Sequence, residues 1–275
     1  MPDVVLAPPF VPIPRLGLGT WPMRGAECQA AVESALALGY RHIDTAEMYG
    51  NEAAVGAALR ASGVKREDIV LTTKAWWDKP KGDAIRRACE ASLQRLGMGH
   101  ADLYLIHWPS PALDLPDALR GLARIRADGL ARHVGVANFP AGMLRRAVET
   151  EIVPIACVQV EHHVFLSQRR LLDYATPRGI ALTSYTPVAK GEVTRTEAIL
   201  RIARRHGATP SQVALAWLLA MPGVVAIPKS ASPVRQAENL KALDLRLDAE
   251  DLAALAALPK DRRMVNPAHG PDWDA

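Results

Sequence analysis

Cysteine is scarce: Cys28, Cys89 and Cys157 are the three among 275 residues. An odd number at wide spacing supports neither a disulfide frame nor a zinc site, and it fits a reducing cytoplasm. Aromatics make up only 5% of the chain. No apolar run approaches the ~18 residues of a membrane helix, so no membrane partner is expected. A dominant charge is missing too: 33 Lys and Arg face 29 Asp and Glu, for a net +4. The charges are scattered, which argues against a nucleic-acid footprint and fits a small anionic ligand only weakly. The pairs Arg86-Arg87, Arg145-Arg146 and Arg204-Arg205 fall on expected helices and read as solvated faces. The N-terminus has no basic segment ahead of an apolar one, so no secretory signal is expected.

What the chain has is a beat of short apolar strands and amphipathic helices. Strands are expected at 16–20, 40–44, 69–73, 101–106, 133–137, 155–160, 180–184 and 224–227. Helices are expected at 26–38, 51–61, 81–96, 115–128, 141–150 and 168–176. Two more, 196–206 and 210–221, separate the last two strands. Helices at 233–243 and 249–258 follow the last strand. Gly39, Gly97 and Gly129 close helices, and Asn51 reads as a helix cap. Residues 4–14 read as a lid or hairpin outside the main core, and 261–275 as an irregular tail. Runs such as Ile69-Val-Leu71 and Val224-Val-Ala-Ile227 are apolar throughout, as strands covered on both faces must be. Eight such units predict a closed (β/α)8 TIM barrel, a single domain over 1–275 with accessory helices and its tail over the mouth. The rival open sheet needs G-x-G-x-x-G after its first strand. Gly17-Leu-Gly19 begins that pattern, but Pro22 stands at its third glycine.

In a barrel the loops after the strands gather at one end. Asp44, Lys74, His107, Asn138, Gln159, Tyr185 and Lys229 all fall there, and Tyr49 follows Asp44 by five residues. Period-two alternation puts Lys74 on the face of Val70 and Thr72, and His107 on the face of Leu103 and Leu105. A lone lysine at a strand end is more often a solvated or paired charge, but seven polar groups on one rim suggest a site. A free phenol, with a pKa near ~10, donates protons poorly at neutral pH. A neighbouring ammonium is expected to lower that value, and the buried ammonium needs a counter-charge such as Asp44. His107 is placed to orient a substrate oxygen. Such a set suits proton transfer to an oxygen that gains negative charge, as a carbonyl does on receiving hydride.

The motifs extend the argument. They are Leu16-Gly-Leu-Gly-Thr-Trp21, Gly39-Tyr-Arg-His-Ile-Asp-Thr-Ala46, Tyr49-Gly-Asn-Glu52, Thr72-Thr-Lys74, Asp102-Leu-Tyr-Leu-Ile-His-Trp-Pro109, Gly135-Val-Ala-Asn-Phe139, Gln159-Val-Glu161 and Ile227-Pro-Lys-Ser230 with Arg235 and Glu238-Asn-Leu240. In this order and spacing the chain resembles the aldo-keto reductase family. Length, His107-Trp-Pro-Ser-Pro111 and the tail resemble small bacterial 2,5-diketo-D-gluconate and methylglyoxal reductases.

The resemblance implies NADPH bound across the barrel mouth and reduction of aldehydes and ketones, with Tyr49 as general acid, Lys74 and Asp44 tuning it and His107 orienting the carbonyl. It implies cofactor contacts from Gly19, Thr20, Trp21 and Asp44, from Asn138 and Gln159 to the carboxamide, and from Tyr185 to the nicotinamide ring. It also implies Lys229, Ser230 and Arg235 on the 2′-phosphate, with Glu238 and Asn239 near the adenine. Ser232-Pro233 independently reads as a helix start, a ready anion site with Lys and Arg beside it. Ala137 stands where the family usually has serine, which removes one bond to the carboxamide. The link from Tyr185 to Thr196 is short beside the cofactor clasp of longer members. A monomer is the family expectation.

Four of the six tryptophans, Trp21, Trp76, Trp77 and Trp108, fall just after strands. Core packing is the ordinary role of tryptophan, but four at one end suggest an apolar substrate pocket, joined by Met48 and Trp273. Glu161-His162-His163 resembles a metal motif, but its histidines point to opposite faces with no clear third ligand, so no metal is expected. His42 reads as a barrel-interior residue, His133 and His206 as helix-end or surface residues, and Cys157 as packing. A different class stays open: a cofactor-binding sensor or structural protein on the same barrel, which an intact Tyr-Lys-Asp-His set argues against.

Overall fold

The computed structural model describes residues 5–273. Residue 4 of the expected hairpin and residues 274–275 of the expected tail lie outside it. Eight parallel strands follow chain order: β1 (Leu18–Gly19), β2 (His42–Asp44), β3 (Val70–Ala75), β4 (Ala101–Ile106), β5 (Ala131–Ala137), β6 (Ile155–Glu161), β7 (Ala181–Tyr185) and β8 (Val224–Ala226). The last strand returns to the first. Gly17 N–H donates to Ala226 O at 2.9 Å, Ala226 N–H to Arg15 O at 2.9 Å and Gly19 N–H to Pro228 O at 3.2 Å.

The helices are α1 (Gly25–Ala37), α2 (Glu52–Ala61), α3 (Gly82–Leu96), α4 (Leu115–Ala127), α5 (Ala141–Glu149), α6 (Arg169–Ala175), α7 (Glu197–His206), α8 (Pro210–Leu219), α9 (Pro233–Leu240) and α10 (Ala249–Ala256). Helix α3 shows why the pattern folds this way. Ile85, Ala88, Cys89, Ser92, Leu93 and Leu96 recur at helical spacing and are buried. Gly97, at φ 63°, then ends the helix in the left-handed region that glycine adopts freely. Helices α3 and α4 touch backbone to backbone: a Cβ on Gly121 would lie 2.4 Å from Gly82 Cα. Among the described residues no helix is long and apolar enough to cross a membrane.

Alternation sorts the strand residues into two layers. Leu103, Leu105, Ala137, Cys157, Ala181, Val225 and Ile227 form the barrel interior. Leu71, Tyr104, Ile106, Val134, Val136, Val158 and Leu182 face outward to the helices. His42 sits inside, its Nε2 3.1 Å from Thr72 Oγ1, and Cys157 Sγ lies 3.2 Å from Thr183 Oγ1.

Four sequence expectations are corrected. The second strand begins at His42, because Tyr40 N–H donates to Ala35 O and so finishes the end of α1. Residues 5–14 do form a hairpin, with an antiparallel bridge from Val5 to Pro14. It is not outside the core, however, because Leu6 and Ile13 are buried among the interior residues of the strands. Asn51 precedes α2 but makes no side-chain cap. Its amide instead donates to Thr20 O and Met23 O and accepts from Thr45 Oγ1 at 2.6 Å, tying the loops after β1 and β2 together. His133, expected at a helix end or the surface, is half-buried on β5.

Two buried histidines make stability depend on pH. Burial pushes His42 down to about 4. Burial, then the charges of His163 and Lys260, push His162 down to about 3. Both stay neutral in the fold over a range where the unfolded chain, near ~6.5, takes up protons. Their contribution is complete above that value and is lost as pH falls through the window below it. Urea unfolding should therefore show a loss of about 3–4 kcal/mol between pH 7 and pH 5 from this pair. Equal stability at both pH values would contradict the assignment.

Candidate active site

The strand ends converge on one buried ion pair. Lys74, near the end of β3, donates from Nζ to Asp44 Oδ1 at 2.5 Å and to Thr45 O at 2.8 Å. Its third neighbour is Tyr49 Oη at 3.4 Å. Neither Lys74 nor Asp44 is more than 1% exposed. Asp44 Oδ2 accepts from Gln159 Nε2 at 2.8 Å, across the barrel from β6. Thr20 holds the backbone of Asp44, with Oγ1 donating to Asp44 O at 2.9 Å. The phenol arrives on a single 3-10 turn, Glu47–Tyr49, ended by Gly50 at φ 64°.

His107 follows β4, its ring 5.5 Å from that of Tyr49 and nearly perpendicular to it. Burial, then the positive charges of Lys74 and His269, hold its pKa well below the usual histidine range, so the imidazole is neutral at pH 7. Its Nδ1 is buried without a partner.

The phenol differs from expectation. Burial, then the Asp44 carboxylate, raise the Tyr49 pKa well above its ordinary value. The net shift is thus upward, opposite to the lowering expected from the neighbouring ammonium, whose two shorter bonds go to Asp44 and Thr45. Lys74 itself is shifted down by burial, against the pull of Asp44. The phenol therefore holds its proton at neutral pH, with an ammonium beside it to stabilise any negative charge that forms.

Asn138 follows β5 at φ 62°, a conformation asparagine tolerates better than most residues. Its Nδ2 donates to His107 O and its Oδ1 accepts from Tyr185 Oη, both at 2.8 Å. Tyr185, Asn138 and His107 are thus joined in one row. Asn138 and Gln159 each use only part of their amide capacity in these bonds, which fits a second amide as ligand. Gly19 is required where it stands, since a Cβ there would meet Ile227 O at 2.7 Å.

The residues expected to form an anion site lie around the start of α9. Ser232 caps the helix, Oγ accepting from Arg235 N–H at 3.4 Å, with Pro233 in the first turn. Lys229 and Arg235 are exposed beside it, as an anion site requires. Ser230 is buried, and its hydroxyl is engaged with the Ser232 backbone at 3.1 and 3.2 Å. Glu238 is half-buried on α9, and Asn239 is turned inward against the Tyr40 hydroxyl.

The tryptophans do gather. Trp21 lies 5.1 Å from Tyr49, and Trp76 lies 5.1 Å from His107. Trp76, Trp77 and Trp108 surround His269 at 5.2, 4.9 and 5.4 Å, with Trp77 stacked on it at 14°. Trp273 meets Trp108 at 6.0 Å and receives the Arg263 guanidinium on its face at 3.6 Å. Met48 is half-buried on the tyrosine turn.

Sequence reasoning missed His269, which sits in an irregular stretch where periodicity says nothing. It also missed the role of Glu161. This buried carboxylate accepts His163 Nε2 at 3.0 Å, Met264 N–H at 2.8 Å and Val265 N–H at 2.9 Å, fastening the tail to the end of β6. His162 binds Ser184 instead. Among the described residues no cluster could hold a metal ion.

Residues 15–260 match the Aldo/keto reductase family. The chain belongs to that family. It is an oxidoreductase that uses a nicotinamide cofactor. It is 40% identical over 266 residues to methylglyoxal reductase DkgB of Escherichia coli O157:H7, covering 95% of this chain and 99% of the relative. A crystal structure provisionally assigned as a 2,5-diketo-D-gluconic acid reductase B superposes with a TM-score of 0.92 at 41% identity, over 96% of this chain and 94% of the other. An aldo-keto reductase complexed with NADPH superposes with a TM-score of 0.88 at 32% identity, over 94% and 88%.

The ion pair gives a direct stability test. Replacing Lys74 by Met leaves the Asp44 carboxylate buried without its cation, which should cost about 3–5 kcal/mol in urea unfolding. Adding Asp44→Asn should recover part of that loss. A single-variant cost below about 1 kcal/mol would mean the pair does not carry the site.

Proposed function

We propose that the protein is an NADPH-dependent carbonyl reductase acting on small dicarbonyls or keto-sugar acids. The observation that carries this reading is a protonated, buried phenol beside a Lys74–Asp44 pair and opposite a neutral imidazole. When bound, the reduced nicotinamide supplies a hydride for the carbonyl carbon. The rest is done by the chain. His107 donates to the carbonyl oxygen and aims it at Tyr49. Tyr49 gives its proton to that oxygen as negative charge develops there. Lys74 stabilises the phenolate left behind, and Asp44 keeps Lys74 charged. Asn138 and Gln159 would hold the cofactor's carboxamide, and the Tyr185 ring would face its nicotinamide. Lys229 and Arg235, with the N-terminus of α9, would read the 2′-phosphate that distinguishes NADPH. The tail residues His269 and Trp273 would close the substrate pocket over the barrel mouth. The whole, over 1–275, acts as a single domain, a cytoplasmic monomer. The substrate class follows the methylglyoxal reductase relatives and the neighbour assigned to diketogluconate.

Tyr49→Phe removes the proton and leaves the ring. It should lower kcat for carbonyl reduction by about 10²–10⁴-fold while NADPH binding is kept. Undiminished turnover would eliminate Tyr49 as the acid. The double change Lys229→Ala, Arg235→Ala should weaken NADPH by about tenfold or more and NADH little, measured by fluorescence titration. Equal weakening of both cofactors would remove these residues from 2′-phosphate recognition.

A further inference from the structure

Glu47 opens the turn that carries Tyr49, and its carboxylate is only 14% exposed. Oxygen Oε1 accepts two donors from one loop: the Trp76 backbone N–H and the Lys79 ammonium, the latter at 3.0 Å. That loop begins where β3 ends, at Ala75, so no strand pairing fixes Trp76. It is braced within itself, with Lys79 N–H donating to Trp76 O at 3.3 Å and Lys79 Nζ to Asp78 at 2.5 Å. The Trp76 ring in turn stands edge-on to His107 at 5.1 Å and 72°. A single carboxylate therefore joins the turn bearing the phenol to the wall that meets the imidazole. A charged acceptor makes this link stronger than a neutral one would.

We propose that Glu47 is a positioning residue that holds Trp76 against His107 and so sets the shape of the carbonyl subsite. It touches no reacting atom. Its effect falls on substrates with bulk beyond the carbonyl, which must lie along the Trp76 wall. A small dicarbonyl, touching less of that wall, depends on it less. This inference rests on the carbonyl-reductase reading of Tyr49 and His107. Glutamine at position 47 keeps an oxygen for the Trp76 N–H but gives up the charge on Lys79. Alanine gives up both.

The test compares Glu47→Ala and Glu47→Gln with the parent in two ways. In NADPH turnover, Glu47→Ala should raise KM for nitrobenzaldehyde about tenfold and for methylglyoxal less than about threefold, with kcat and NADPH affinity within about twofold. Glu47→Gln should stay within about threefold of the parent on both substrates. In fluorine NMR of fluorotryptophan-labelled protein, Glu47→Ala should shift or broaden the Trp76 resonance, assigned through Trp76→Phe, and Glu47→Gln should leave it in place. An unmoved Trp76 resonance in Glu47→Ala overturns the proposal. So does an unchanged KM, or a fall in kcat shared equally by both substrates. A parent that reduces neither substrate overturns the carbonyl-reductase reading instead, and the Trp76 resonance still decides the positioning role.

Discussion

An ammonium with no exposed surface must be neutralised where it stands, and much of the site follows from that need. Lys74 can occupy the barrel interior only if Asp44 ends the neighbouring strand within reach of it, and the parallel pairing of Asp44 with Thr72, one same-face position before Lys74, provides that. Asp44, once buried, needs its second oxygen satisfied, and Gln159 reaches across the barrel to do so. With Thr45 O taking a second ammonium direction, one is left for the tyrosine hydroxyl. The same burial that makes the pair costly to break keeps Tyr49 protonated and His107 neutral. A donor, a neutral hydrogen-bonding ring and a local positive charge are what a developing alkoxide requires.

Around this fixed centre the mouth is assembled by carboxylates that accept backbone N–H groups from loops. Glu47 receives Trp76, and Glu161 receives Met264 and Val265. Neither glutamate lies at a reacting atom, yet between them they fasten the pocket wall and the tail. Lys190, on the loop after β7, donates to Met264 O at 2.9 Å. The loop that follows the tyrosine strand and the tail that carries His269 are thus held at one residue. Local charge-assisted bonds place segments that have no periodic structure of their own.

The barrel was legible in the sequence because its signal is repetitive. Ala101–Ile106 has the expected bounds, and the faces assigned by alternation at Leu103, Leu105 and His107 match the interior layer. Asp44, Lys74 and His107 were visible because a polar residue at the end of an apolar run stands out, and Tyr49 because it stands in the motif that follows Asp44. Other features depend on partners far along the chain. Tyr40 reads as strand, but its N–H is taken by the end of the preceding helix. Asn51 reads as a cap, but its amide is claimed by Thr20 and Met23. The phenol's upward shift could not be foreseen, because it comes from the depth of burial and then from the Asp44 carboxylate, and the sequence does not show how deeply the ring is buried. His269 and Glu161 were invisible in their roles because both depend on an aperiodic tail folding back onto residues far earlier in the chain.

The central claim is that this arrangement reduces carbonyls with NADPH. The most direct test follows NADPH oxidation by absorbance as purified protein meets methylglyoxal, 2,5-diketogluconate, nitrobenzaldehyde and several bulky ketones, with NADH in parallel. The account predicts turnover with NADPH, slower turnover with NADH, and faster reduction of the small dicarbonyls than of the bulky ketones. Tight NADPH binding with no oxidation by any carbonyl would contradict it and point to a barrel that holds the cofactor without using it.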